Sequence, residues 1–99
     1  MIRYCFDLDN TICDTKDGSY ITAEPIPERI KKINDLYDAG HVVIIDTARG
    51  TMTGINWKAF TVKQLKDWGV KYHMLRVMDK IYADYYIDDC AINSEDFFK

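Results

Sequence analysis

The sequence predicts an α/β fold: a single small Rossmann-like domain of three layers with a mostly parallel sheet of about four strands. Short apolar segments with strand character recur along the chain, at residues 2–6, 41–45, 70–75 and 84–87. Helical patterns and turn signals fall between them, which is typical of parallel sheets. A chain of 99 residues suits one hydrophobic core. We therefore expect one domain over residues 1–99.

The first helix is the best-marked element. Pro25 and Pro27 suit a helix start better than a helix interior. Apolar residues then recur at spacings of three and four, namely Ile30, Ile33, Leu36 and Tyr37. Gly40 stands where a left-handed cap commonly ends a helix. One face of this helix should pack on the sheet.

The second strand and second helix follow. Residues 41–45 form a continuous apolar run, which predicts a central strand buried on both faces. Thr61 to Gln64 has the pattern of a capping box, with Leu65 and Trp68 as later apolar positions and Gly69 as the stop. Residues 56–60 could be helical or could line a loop.

Charge and composition exclude several classes of protein. There are 16 acidic and 13 basic residues without a basic run, so nucleic acid is not an expected partner. No apolar stretch approaches the roughly 20 residues of a membrane span, and residues 1–6 are too short for a signal peptide. We expect a cytoplasmic protein without a membrane partner. The three cysteines lack metal-site spacing and are interpreted as structural.

Polar residues that terminate the apolar runs are the candidate site, because ligands of parallel sheets bind beyond the carboxyl ends of the strands. Asp7 and Asp9 follow the first strand, Thr47 follows the second, and Asp88 and Asp89 follow the last. Residues two apart on an extended strand project to the same side, so the carboxylates of Asp7 and Asp9 should lie close together.

Such a cluster of carboxylates requires a cation or raised pKa values. Hard carboxylate oxygens favour Mg²⁺. With Lys80 and the Thr47 hydroxyl added, the site suits a phosphoryl group. One carboxylate can then attack phosphorus while the other acts as a general acid and base.

These motifs, in this order, resemble the four motifs of the haloacid dehalogenase superfamily over residues 2–90: Asp7-x-Asp9-x-Thr11, Thr47, Lys80 and Asp88-Asp89. The resemblance implies a Mg²⁺-dependent phosphomonoester hydrolase that forms an aspartyl-phosphate. It implies the following roles: Asp7 as nucleophile and metal ligand, Asp9 as general acid/base and backbone metal ligand, Asp88 as metal ligand, Asp89 as its support, and Thr47, Lys80, Leu8 and Ala48 as phosphate-binding positions.

Within that superfamily the acid at Asp9 distinguishes phosphatases from dehalogenases, because a halide leaves without a proton. Many relatives place Gly and Pro beside the lysine, whereas Lys80 is flanked by Asp79 and Ile81. Arg49 is a candidate substrate contact, although the many acids nearby favour a loop salt bridge for it. Asp46 receives no role.

The chain is too short for the cap domain that covers the site in larger members, so residues 12–24 can form only a flap. An open site admits a small phosphate ester or a larger phosphorylated substrate, or is covered by another subunit. The Thr-Ala-Arg-Gly loop at residues 47–50 resembles small hydrolases of surface-sugar biosynthesis, which suggests a sugar phosphate or a polysaccharide precursor by analogy.

Two other functional classes remain. One is a catalytically silent binding or regulatory domain of the same fold. The other is a phosphoacceptor receiver domain, which the residue order disfavours. If the aromatic residues near the end of the sequence, such as Tyr85 and Phe97, are exposed, they would suit a homo-oligomer contact.

Overall fold

The computed structural model describes residues 1–15 and 18–99 as an α/β domain. Residues 16 and 17, part of the expected flap, lie outside the described residues. In chain order the elements are β1 (Arg3–Phe6), β2 (Cys13–Asp14), β3 (Glu24–Pro25), α1 (Pro27–Asp38), β4 (Val42–Thr47), α2 (Lys58–Asp67), β5 (Met74–Val77) and α3 (Ser94–Phe97).

The main sheet is parallel and has the order β1-β4-β5. Tyr4 pairs with Val43, and Ile45 pairs with Leu75. The crossovers through α1 and α2 bring each new strand to the same edge of the growing sheet. β2 and β3 form a separate antiparallel pair, with β2 near the start of the flap region and β3 at its end.

The helices cover one face of this sheet, so the expectation of three layers is wrong for the described residues. Parallel crossovers are right-handed, and two that step in the same direction place both helices on one face. Ile33 of α1 and Leu65 of α2 accordingly join Val43 and Ile45 in a single core. The alternate residue Ile44 is only half-buried, which also corrects the expectation that residues 41–45 are buried on both faces.

The fourth expected strand, at residues 84–87, is absent from the described structure, which leaves a three-stranded parallel sheet. The third strand begins at Met74 rather than residue 70. Before it, the His73 backbone N–H donates to the Val43 carbonyl at 2.8 Å, and the Val43 N–H donates to His73 Nδ1 at 3.0 Å. His73 therefore extends the contact with β4 through its side chain.

The helix boundaries follow local chemistry closely. α1 begins at Pro27, and Gly40 at φ +93° follows its end, as the sequence predicts. α2 begins at Lys58, three residues before the expected capping box, so Thr61 lies inside the helix and is fully buried. No helix in residues 1–15 or 18–99 is long and apolar enough to cross a membrane.

A short C-terminal turn closes the covered face beside β1. The Asn93 side chain caps α3 by accepting from the Glu95 N–H at 2.9 Å. The Phe97 ring then lies 5.8 Å from the ring of Tyr4 and 5.6 Å from that of Phe6. Lys32 of α1 lies 4.4 Å from the Phe97 ring centre. These contacts tie α3 to both α1 and the first strand.

The two neighbouring isoleucines of β4 provide a test of the layer arrangement. Ile45→Ala should lower the free energy of unfolding by about 2 to 5 kcal/mol, because it leaves a cavity in the core. Ile44→Ala should cost clearly less, since Ile44 is only half-buried. Urea denaturation of both variants measures the difference, and equal losses would indicate a second covered face.

Candidate active site

The carboxyl ends of β1 and β4 bring together most of the predicted site residues. Asp7 follows β1 directly, and its side chain is 43% exposed. Lys80 Nζ lies 3.2 Å from Asp7 Oδ1, although the two residues are 73 positions apart in the sequence. The sheet edge therefore presents an accessible carboxylate beside the Lys80 ammonium group.

The backbone around Lys80 is held by the loop that follows β4. The Thr51 hydroxyl donates to the Lys80 carbonyl at 3.0 Å. Gly50, at φ +83°, lets this loop close tightly, since a Cβ there would lie 2.1 Å from the Ile55 carbonyl oxygen and 3.1 Å from Met78 Cγ. The glycine is required both by its left-handed conformation and by this close approach.

Asp9 has a different environment from Asp7. Arg49 Nη2 donates to Asp9 Oδ1 at 2.8 Å, and Arg49 Nε donates to Oδ2 at 3.0 Å. The Thr15 hydroxyl also donates to Oδ1, at 2.8 Å. A bidentate guanidinium fixes the plane of a carboxylate as well as its position. Asp9 is therefore an oriented group, whereas Asp7 is accessible.

The two carboxylate oxygens of Asp9 accept different numbers of hydrogen bonds. Oδ1 accepts from Arg49 and Thr15 and lies 3.6 Å from Cys13 Sγ. Oδ2 accepts the single Arg49 Nε–H bond. Because each carboxylate oxygen has about two acceptor sites, Oδ2 keeps capacity to take or give a proton.

Arg49 itself is completely enclosed, with 0% of its side chain exposed. Its Nη1 donates to Gln64 Oε1 at 2.7 Å and to the Thr61 hydroxyl at 3.2 Å. The Tyr20 ring centre lies 4.6 Å from the guanidinium carbon. The structure thus shows the loop salt bridge expected for Arg49, and leaves its guanidinium no exposed surface for a substrate.

A tight turn after β1 sets the spacing of the two aspartates. The Leu8 carbonyl accepts from the backbone N–H groups of three following residues, at 3.2, 2.8 and 3.3 Å. Asn10 adopts φ +62°, a left-handed conformation that asparagine tolerates. Leu8 and Ile12 are fully buried on either side. Core packing therefore anchors the turn that carries Asp9.

The end of β4 supplies the remaining expected phosphate-binding positions. Thr47 is buried, and its hydroxyl oxygen accepts from the Arg49 backbone N–H at 3.2 Å. The hydroxyl proton remains available for donation. The Ala48 carbonyl accepts from the Thr51 N–H at 2.9 Å, which begins the loop beneath Lys80.

Asp46 lies on the opposite side of β4 from Thr47, paired in register with Arg76 of β5. Its Oδ1 is buried without a hydrogen-bond partner among the described residues. Burial, and secondarily the Asp46 charge, raises the pKa of the nearby Cys5 thiol. Nothing in the structure assigns Asp46 a role.

Asp88 and Asp89 do not form a carboxylate cluster with Asp7 and Asp9 within the described chain. They are exposed, and their carboxylate oxygens group with Cys90 Sγ within 4.8 Å of one another, a group that neither Asp7 nor Asp9 joins. The Cys90 backbone N–H donates to Asp88 at 2.8 Å and lowers the pKa of that carboxyl. A single copy of the chain therefore does not fit the Mg²⁺ site that the resemblance implies, although each donor is of the right chemical type.

The residues that surround Arg49 were not predicted from the sequence. Tyr20, Thr61 and Gln64 belong to the flap and α2, and Gln64 Nε2 donates to the Tyr20 carbonyl at 2.8 Å. The Thr61 to Gln64 pattern was visible, but it suggested a helix cap. Buried polar side chains on a helix face are the signal that could have pointed to an internal charge.

Comparisons with known proteins give one structural match and no family. No family model matches the chain, and no curated protein matches it. The fold is similar to the crystal structure of a structural-genomics target from Vibrio cholerae, with a TM-score of 0.87 and 23% sequence identity over 99% of this chain and 88% of that chain. This likeness establishes the fold alone.

Removal of the Arg49 guanidinium should destabilise the fold strongly. Arg49→Ala should lower the free energy of unfolding by about 3 to 5 kcal/mol, because Asp9 loses its partner in a largely buried pair. Lys71→Ala, which removes an exposed pair with Asp38, provides the control and should cause little change. Urea titrations compare them, and similar small losses would contradict a structural role for Arg49.

Cys13 should resist alkylation in the folded protein. Burial raises the pKa of its thiol to about 11, so at pH 8 about one thiol in a thousand is the reactive thiolate. Iodoacetamide treatment followed by peptide mass spectrometry should find Cys13 unmodified in buffer and modified in urea. Rapid labelling in buffer would contradict its placement in the core.

Proposed function

We propose that this protein is a Mg²⁺-dependent phosphomonoester hydrolase that forms an aspartyl-phosphate on Asp7. The observation that supports the proposal is the difference between the environments of the two aspartates. Asp7 is accessible beside Lys80, whereas Asp9 is oriented by Arg49 and Thr15. One carboxylate can attack phosphorus while the other donates and then accepts a proton, and the reaction requires both.

In the first step a carboxylate oxygen of Asp7 attacks phosphorus, and the bond between phosphorus and the ester oxygen breaks. The leaving alcohol takes a proton from Asp9 Oδ2, the oxygen with the freer acceptor site. In the second step a water molecule loses a proton to Asp9 and attacks phosphorus. Inorganic phosphate leaves, and Asp7 is regenerated.

The positive and donor groups of the site suit the charge of the transferred group. Lys80 Nζ lies within hydrogen-bond distance of Asp7 and can contact a phosphoryl oxygen held there. Thr47 accepts from the Arg49 N–H, so its hydroxyl proton can be directed to a second oxygen. Fixed donors of this kind stabilise a transferring phosphoryl group without reorganisation.

The substrate we propose is a phosphate ester reached from open solvent, such as a sugar phosphate or a surface-polysaccharide precursor. Asp7 is 43% exposed at the sheet edge. The flap residue Tyr20 packs on Trp57, with ring centres 5.0 Å apart, and on Arg49, so it covers Arg49. Asp7 itself stays accessible to a phosphate ester from solvent.

A catalytically silent binding domain is the second candidate, and one observation favours it. Asp88 and Asp89 are exposed, and in the described chain they form no carboxylate cluster with Asp7. A domain that had lost turnover could keep Asp7 and Lys80 as a binding pair without a metal. Turnover by the wild-type protein separates the two candidates.

Phosphate release tests the proposed function. The wild-type protein with Mg²⁺ should hydrolyse an aryl phosphate or members of a sugar-phosphate panel. Asp7→Asn should abolish turnover because it removes the nucleophile, and Asp9→Asn should lower it by about 10² to 10⁴ fold because it removes the proton carrier. Asp35→Asn, on the exposed side of α1, is the matched control and should retain activity.

Metal removal completes this test. EDTA should stop turnover, and added Mg²⁺ should restore it. Activity that survives Asp7→Asn would exclude Asp7 as the nucleophile. Folded wild-type protein without activity on the whole panel would favour the silent binding domain.

A further inference from the structure

Residues 79–92, here called the unpaired segment, have only side-chain partners for their backbone groups in the described structure, such as the Thr51 hydroxyl on the Lys80 carbonyl. Within the part of the chain that the structure describes, no backbone–backbone hydrogen bond involves them. Their apolar side chains are unusually exposed, with Tyr85 at 83% and Ile87 at 98%. Unpaired backbone and contiguous exposed apolar side chains together indicate a surface that another chain covers.

The first strand offers a matching surface. β1 pairs with β4 on one side, and its other side is a free edge in the described structure. A free edge presents unsatisfied N–H and C=O groups that can accept one more strand. The edge ends at Asp7, so whatever strand pairs there in parallel will end beside the proposed nucleophile.

The unpaired segment cannot supply that parallel strand to its own β1. β5 ends at Val77, and residues 78–83 leave a connection of six residues before the strand-like residues 84–87. A parallel connection needs about a dozen residues or more, because the chain must return to the other end of the sheet. β1 is also separated from β5 by β4. An antiparallel pairing would carry Asp88 to the end of the sheet away from Asp7.

We propose that a second copy of this chain completes the active site. Residues 84–87 of one copy add to the outer edge of β1 in the other, and Asp88 and Asp89 then follow next to Asp7. Two copies exchange the segment reciprocally, as in a two-fold domain swap. The active-site interpretation rests on the proposed function, whereas the strand exchange rests on topology and exposure alone.

Charge and hydropathy fix the register. With Asp84 opposite Arg3, opposite charges are neighbours at the start of the new strand. Ile87 then lies opposite Phe6 and turns toward the helix-covered face. Asp88 falls opposite Asp7, which brings together two carboxylates of the chemical type that would hold a divalent cation. The exchange therefore removes the disagreement between a single copy and the implied metal site.

The mass in solution tests the exchange without reference to activity. Sedimentation or light scattering should give a dimer for the wild-type protein. Ile87→Asp should convert it to a monomer, because the charge would be buried in the new strand. Ile21→Asp changes an isoleucine that is also exposed, at 68%, but lies outside the segment, and it should remain dimeric. A monomeric wild type, or a dimer that Ile87→Asp leaves intact, would overturn the proposal.

Complementation tests the shared site. Asp7→Asn and Asp88→Asn chains carrying different affinity tags are co-expressed, and the heterodimer is isolated through both tags. Each homodimer should be inactive. The heterodimer contains one site with both residues intact and one with neither, so it should show about half of the wild-type activity.

An inactive heterodimer beside an active wild type would place both aspartates of each site in one chain and overturn the shared site. Failure of the proposed function has a different signature, namely a folded wild type without turnover. In that case the effect of Ile87→Asp on the mass still decides whether the exchange occurs.

Discussion

A single buried charge organises the described site. The Arg49 guanidinium has no exposed surface, so each of its N–H groups requires an acceptor within the protein. It finds them on the turn after β1 and on α2, while the flap ring of Tyr20 covers one face. Three parts of the chain are therefore positioned by one side chain. The orientation of Asp9 and the closure of the flap are two results of the same requirement.

The sequence predicted the chain order of the elements better than their arrangement in space. The first helix could be located because Pro27 and Gly40 mark its ends through local backbone chemistry. Local backbone chemistry did not indicate the number of layers in the fold. Residues 41–45 are continuously apolar whether one face or both are covered, and only the handedness of successive crossovers decides which face receives α2. Helices on one face were thus a consequence of strand order, which no local pattern encodes.

The same distinction applies to the site. Strand-end chemistry predicted that Asp7 and Lys80 would share one edge of the sheet, and they are 3.2 Å apart. The partners of Arg49 were not predictable, because Gln64 lies fifteen residues away in a pattern that predicts a helix cap. The position of Asp88 depends on the connection after β5, which is too short to return residues 84–87 to their own β1 as a parallel strand. Motif order alone does not state which copy of a chain supplies each motif.

The strand order β1-β4-β5 also has consequences for the kinetics of folding. β4 pairs with β1 and β5 pairs with β4, so each sheet contact forms within one β-α-β unit. Contacts of modest sequence separation reduce the loop-closure entropy that must be overcome before a nucleus is stable. The sheet can therefore grow outward from β1 in a unimolecular process, and the free edge of β1 is available from the first pairing event onward.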